Sequence, residues 1–404
     1  MRVLLVSWEH PPVVIGGLGR HVHNLGRHLA AAGHEVVVLC RQPPGTDALS
    51  HPSTDEVVDG VRVVAVAEDP VHLGFTDDLV AWTLAMGHAL VRAGLALGWR
   101  PDVVHAHDWL VAHPAIALAE HYAAPLVVTL HATEAGRHGG WISAPLNRQV
   151  HSVEWWLARS ADALITCSES MRAEVADLFH PDGEITVLPN GLQAWRALPR
   201  VPRPGPPTLL YLGRLEYEKG VQDLIAALPR VRRAHPGVRL VVAGDGTQAA
   251  WLRERARVHR VVRAVMFTGH LEHTALQGWL ACADVVVLPS RYEPFGIVAL
   301  EAAAAGAPLV VSTAGGLGAA VIDGVTGLSF PPGDVAGMTA AVGAVLDDPP
   351  AARCRAAAAR ARLGTDFDWA HIARATVQVY ATTRRRRRTP LGRQVIPERA
   401  LPGR

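Results

Sequence analysis

Short runs of valine, isoleucine and leucine recur along almost the whole chain, each followed by a stretch with apolar residues at helical spacing. The series breaks once, at residues 200–207, which hold four prolines. Short continuous apolar runs mark strands buried on both faces, and their alternation with helices calls for parallel sheet packed between helical layers. Residues 2–7 read as the first strand. Val22, Leu25, Leu29 and Ala32 then lie on one helical face, Gly33 stops that helix, and a strand follows over 35–39. Strands over 61–66, 103–106, 126–130, 163–166 and 185–188 complete a first doubly wound domain. Past the prolines, strands over 208–212, 239–243, 264–268, 285–288, 309–312 and 328–330 alternate with helices over 222–233, 249–258, 275–281, 297–305 and 335–346. Neither a helix nor a strand interior tolerates such proline density. We therefore expect an α/β chain of two doubly wound Rossmann-like domains, residues 1–199 and 208–367, joined by a linker over 200–207. A helix over 368–383 is expected to cross back to the first domain, and residues 384–404 to form a basic flexible tail.

Bulk properties narrow the function. Hydrophobic residues make up 49% and charged residues 19% of the 404, which excludes a disordered chain and fits two packed cores. The formal charge of +2 leaves no electrostatic footprint for nucleic acid, the arginine run at 384–388 being confined to the tail. That run offers at most peripheral contact with an anionic membrane. Cys40, Cys167, Cys282 and Cys354 lack any metal-ligand spacing and indicate a reducing compartment. The opening apolar run is too short for a signal peptide or a membrane span, so the expectation is cytoplasmic, with no integral membrane segment. Among His21, His23, His28, His105, His107, His113 and His121, no pair stands at helical spacing beside a carboxylate in the arrangement a metal needs, so no metal site is expected.

Open α/β sheets bind ligands beyond the carboxyl ends of their strands, and the distinctive residues fall there. Gly16, Gly17 and Gly19 follow the first strand and open a helix, where bare amides can meet an anion. Gly244 to Ala249 spells a dinucleotide motif, yet the next strand ends without the acidic residue that would hold a ribose, which argues against a nicotinamide cofactor. Arg214 and Lys219, the only lysine in the chain, flank one loop and can converge on a diphosphate. Glu293 lies in the loop after strand 285–288, and Glu301 sits within an apolar helix where a carboxylate needs a reason, such as a ribose diol. Gly296 with the amides of Ile297 and Val298 would aim a helix N-terminus at phosphate or sugar oxygens. Gly315 and Gly316 lie at the next strand end and are candidates for further backbone donors. Trp141, Trp155 and Trp156, near Arg137 and His138, are candidates for stacking on a sugar, with wall packing the simpler account.

Arg214-x4-Lys219-Gly220, the Glu293 to Glu301 spacing, the glycine loop at Gly16 and the strand-end His131 together resemble the family-4 retaining glycosyltransferases. Gly16-Gly17-Leu18-Gly19 and His105-Ala106-His107-Asp108-Trp109 are similar to the corresponding segments of bacterial glycogen synthases. The resemblance runs from Met1 to about Tyr380. It implies a GT-B fold and retaining transfer of a hexosyl group, glucosyl favoured, from an ADP- or UDP-sugar to a sugar or glycan acceptor, with no cofactor beyond that co-substrate and no metal. Within it, Arg214 and Lys219 would neutralise the leaving diphosphate, Glu301 would hold the ribose, and Glu293 and His131 would meet the transferred sugar. Asp108 would touch donor or acceptor hydroxyls. The pattern departs at Gly316, which Leu317, Gly318 and Ala319 follow in place of Pro-Glu. A nucleotide-sugar epimerase of the same fold and an inactive nucleotide-sugar-binding protein are the alternatives. A phosphorylase is disfavoured because the one lysine is already assigned.

Overall fold

The structure, a computed structural model, describes residues 1–14, 16–46, 49–68, 72–192 and 205–388. The first sheet contains β1 (Arg2–Val6), β2 (Glu35–Arg41), β3 (Thr54–Val58), β4 (Val61–Val66), β5 (Val103–His107), β6 (Leu126–Leu130), β7 (Ala163–Thr166) and β8 (Ile185–Val187). Its order is β3-β4-β2-β1-β5-β6-β7-β8, and every pairing is parallel except that of β3 with β4. The second sheet contains β9 (Thr208–Leu212), β10 (Arg239–Ala243), β11 (Val265–Gly269), β12 (Val285–Leu288), β13 (Leu309–Ser312) and β14 (Leu328–Phe330), in the order β11-β10-β9-β12-β13-β14, all parallel. Both sheets are the expected doubly wound kind. In each, chain order reverses direction beside the first strand, between β1 and β5 and between β9 and β12. Such switch points leave a crevice at the carboxyl ends of the strands.

Central strands are buried on both faces, Val3, Leu4, Leu5 and Val6 of β1 being wholly inaccessible. The antiparallel edge strand β3 is exposed at all five residues. Helix Pro349–Asp366, outside the helices expected from the sequence, precedes the last helix. Helix Leu79–Ala96 is long and apolar enough to cross a membrane by length and composition alone. Trp82, Met86, Leu90 and Gly94 nevertheless form a buried stripe on it, and a Cβ on Gly94 would stand 2.7 Å from Leu118 of helix Ala112–His121. Such a stripe at helical spacing is how a helix covers a sheet.

The last helix, Trp369–Arg388, lies on the first domain. Trp369 packs against Gly191, Tyr380 is fully buried with its hydroxyl 2.7 Å from His105 Nδ1, and Arg384 pairs with Asp102 at 2.7 Å. The arginine run at 384–388 is thus helical and continuous with the crossing-back segment. Most of the linker and residues 389–404 of the tail lie outside the described residues.

Candidate active site

Helix Gly17–Ala31 starts straight out of the glycine loop with no side-chain cap. The amides of Gly16 and Gly19 both donate to Glu9 Oε2, at 3.1 and 3.3 Å. Glu9 is buried just past β1, so the chain itself places a carboxylate against the amides that sequence reasoning assigned to an anion. Gly17 serves close approach between the two domains, since a Cβ there would lie 2.7 Å from Ile297 Cδ1. Ile297 and Val298 open helix Ile297–Ala304. Its N-cap, Gly296, adopts φ +99° with no side-chain cap, and the N–H groups of a first turn have no partner within their helix.

The second domain presents Arg214 and Lys219 from the turn after β9. Gly244 and Gly246 are glycines because this turn rests on them: a Cβ on Gly244 would stand 1.9 Å from the Gly213 carbonyl, and one on Gly246 would stand 2.6 Å from that of Leu215. The dinucleotide spelling is therefore a packing motif beneath Arg214. Arg214 reaches Glu218 at 3.4 Å and keeps a half-exposed guanidinium. Lys219 Nζ lies 2.9 Å from Glu293 Oε2. Backbone N–H groups of Arg291 and Tyr292 donate to the Glu218 carbonyl, and the Arg291 guanidinium makes a bidentate pair with Asp223 at 2.9 Å on both arms. Those bonds lock the loop after β12 to the loop after β9, which is why two residues 74 apart in sequence meet as an ion pair.

Gly315 and Gly316 brace that loop from behind. A Cβ on Gly315 would lie 2.2 Å from the Glu293 carbonyl, and the Gly316 N–H donates to the same oxygen at 2.8 Å. The Gly316 amide, read from sequence as a further donor for ligand, is committed to the chain. Glu301, deep in its helix, is met by Arg20 of the opposite domain at 2.6 Å. Arg20 is enough to explain a carboxylate in an apolar helix, so a ribose would share Glu301 with it.

The two domains also meet at Tyr292. Its hydroxyl donates to Glu174 Oε1 at 2.9 Å and accepts the Thr133 N–H at 3.2 Å, and Gly136 leaves room for the ring, where a Cβ would stand 2.4 Å from it. Ser168 Oγ donates to the neighbouring Pro294 carbonyl at 2.7 Å. Tyr292→Phe is expected to cost about 1–3 kcal/mol, because it strands a Thr133 N–H that has little water to turn to. Urea unfolding compared with wild type measures it; an unchanged midpoint would show that this contact does not hold the domains.

The floor of the first domain is histidine-rich. His107 and His105 end β5, His131 follows β6, and His21 projects from helix Gly17–Ala31. Asp108 holds the left-handed φ of +62°, which turns its carboxylate onto the end of β6, where Oδ1 accepts the His131 N–H at 2.6 Å. This places Asp108 as the residue that positions His131. Burial raises the Asp108 carboxyl to about 6, opposed by the His131 N–H. Burial also lowers His131 to about 4 and His21 to about 3, and holds His105 and His107 well below the usual range, so all four rings are neutral at pH 7.

Glu154, on helix Pro145–Ser160, accepts the Glu134 N–H at 2.9 Å through Oε1, while its buried Oε2 has no hydrogen-bond partner and lies 3.9 Å from His151 Nδ1. Burial lifts its carboxyl from 4.5 to about 8, with the Glu134 N–H working against the shift. The folded pKa lies above the unfolded one, so the stabilisation is complete below about 4.5 and is lost as pH rises through about 8. Glu154→Gln is expected to flatten that decline in melting temperature between pH 5 and 9. Parallel pH profiles of variant and wild type would refute the shift. Of the tryptophans, Trp141 is 78% exposed, Trp156 packs against His113 with the rings tilted by 56°, and Trp155 lies under Arg159. Glu9, Arg20 and Glu174 escaped the sequence reading, and only Glu9, an acid directly after a strand, carried a signal that could have found it.

Residues 15–196 match the model described as Glycosyltransferase Family 4, and residues 199–362 the one described as Glycosyl transferases group 1. Over 414 residues, with both chains fully covered, the protein is 63% identical to a glycogen synthase of Mycobacterium tuberculosis. A sucrose-phosphate synthase from Thermosynechococcus elongatus superposes with a TM-score of 0.80 at 26% identity, over 94% of this chain and 98% of that one. The catalytic domain of starch synthase IV from Arabidopsis thaliana, solved with ADP and acarbose, has the same fold, with a TM-score of 0.73 at 18% identity over 95% and 99% of the two chains. With a full-length relative of this identity, and with both halves matched by glycosyltransferase models, the chain belongs to the glycogen-synthase-like glycosyltransferases of family 4, built on the GT-B fold.

Proposed function

We propose that the protein transfers glucose from ADP- or UDP-glucose to the end of a glucan, with retention of configuration and without a metal. As a member of its family it is a hexosyltransferase that uses a nucleotide sugar. The finer reading is supported above all by Lys219, held by Glu293 at the crevice next to the uncapped start of helix Ile297–Ala304. As the bond from sugar to diphosphate breaks, negative charge grows on the diphosphate, and preorganised donors at that point lower the barrier. Lys219, Arg214 and the amides of Ile297 and Val298 are those donors. The acceptor hydroxyl attacks the anomeric carbon on the face the diphosphate leaves, and its proton passes to a diphosphate oxygen. His131, positioned by Asp108, forms the floor under the transferred sugar. The glycogen synthase and starch synthase relatives, by name, support glucose and a glucan acceptor. All four cysteines are free, in keeping with a reducing, cytoplasmic setting.

The test mixes purified protein with a panel of nucleotide sugars and follows nucleoside diphosphate release with and without glucan, in chelator. Glucan-dependent release from ADP- or UDP-glucose and an α-linked product by NMR are expected. Conversion of one sugar nucleotide into another would instead make it an epimerase, and tight donor binding without turnover would make it an inactive binder.

A further inference from the structure

His21, His107 and His131 come from three separate elements, so no sequence spacing could reveal them as a group. One ring nitrogen of each lies within 4.8 Å of those of the other two, and His107 Nδ1 is 3.1 Å from His131 Nε2. Ring centroids stand 5.4 Å apart for His21 and His107, 4.7 Å for His21 and His131, and 5.4 Å for His107 and His131. Three imidazoles around one tetrahedral zinc ion, with bonds of about 2.0–2.1 Å, place their nitrogens about 3.3 Å and their ring centres about 5 Å apart. The rings already stand close to that spacing.

The surroundings favour ligation. Asn190 Oδ1 lies 2.6 Å from His21 Nδ1, which requires the proton on that nitrogen and leaves Nε2 with its lone pair. The buried Nε2 of His107 has no hydrogen-bond partner, an unsatisfied polar atom within the cluster. His131 is the partly exposed member, and three imidazoles leave the fourth position of a tetrahedral ion open.

We propose that His21, His107 and His131 form a binding site for a divalent transition-metal ion, zinc above all, with its fourth position open. Imidazole suits zinc, copper and nickel, and the absence of a carboxylate disfavours magnesium and calcium. Such an ion is no part of the transfer step: it ties up the ring of His131 and slows transfer until a chelator removes it. That second effect rests on the functional reading above; the binding does not.

The test titrates metal-free, full-length protein with Co²⁺ and reads the visible absorption of a four-coordinate ion. One equivalent is expected, displaced by Zn²⁺, with X-ray absorption of the zinc form showing three imidazole nitrogens. His21→Phe and His107→Phe should each weaken binding at least tenfold, with circular dichroism melts reporting on folding. Absence of a one-equivalent site in wild type would overturn the proposal, as would binding unaffected in both variants, which would place the ion on others of the chain's 21 histidines. The X-ray absorption result on wild type decides the matter even if a variant fails to fold. Stoichiometric zinc with unimpaired transfer would leave the site standing and remove His131 from the reaction.

Discussion

Lys219→Ala lowers the rate of sugar transfer by roughly a hundredfold or more, the scale on which a single preorganised donor to a developing oxyanion acts. The loss should appear mainly in turnover, because the charge that Lys219 meets is largest in the transition state. Folding should survive. The side chain is 14% exposed and its partner Glu293 21%, so Glu293 keeps access to solvent, and Ser290 Oγ remains near it at 3.4 Å. Lys219→Arg should recover little, since a planar guanidinium cannot occupy the same position against Glu293. Because this is the only lysine, reductive methylation can mark only Lys219 and the terminal amine, and a nucleoside diphosphate should protect the former. Steady-state kinetics with a melting curve check the prediction; turnover within threefold of wild type would remove Lys219 from the reaction.

Gly220→Ala is expected to damage the fold at the site by about 3 kcal/mol or more. Gly220 sits at φ +70°, where a side chain is strained, and a Cβ would stand 1.9 Å from the Pro289 carbonyl at the end of β12. That oxygen belongs to backbone and cannot swing aside as a flexible side chain would. Gly269→Ala is the control: its φ of +71° is the same, yet nothing lies within 4 Å of its Cβ position, so only the backbone term of about 1 kcal/mol applies. Urea unfolding of both variants separates strain from collision. Equal losses would mean that the turn moves to make room.

Where residues are buried on both faces, the sequence was easy to read. The strands β4, β6, β7, β9, β10, β12, β13 and β14 run over the residues expected, because a short apolar run between turn formers has few other uses. The edge strand β3 was not legible, since Thr54–Val58 buries no face and its charged residues resemble a loop. Helix Pro349–Asp366 was missed for a related reason: alanine and arginine are scattered along it, and only Ala352, Ala356 and Ala359 are buried. The site was legible wherever a cation, acid or glycine stood at a strand end. What joins those residues was not: Tyr292 to Glu174 and Arg20 to Glu301 span more than a hundred positions and depend on how the domains dock. Gly244 shows the opposite case, a motif whose spelling suggested a ligand and whose backbone contact explains it without one.

The last helix completes a domain it does not belong to in sequence. Tyr380 seals His105, Trp369 covers Gly191, and Arg384 pairs with Asp102, so these contacts leave with any cut made near the middle of the chain. Anyone exchanging halves between relatives to alter acceptor preference must therefore draw the boundary twice, carrying the segment from Trp369 onward along with the N-terminal part. A hybrid joined at a single point would mate a foreign helix to the wrong bed and lose solubility before its specificity could be measured.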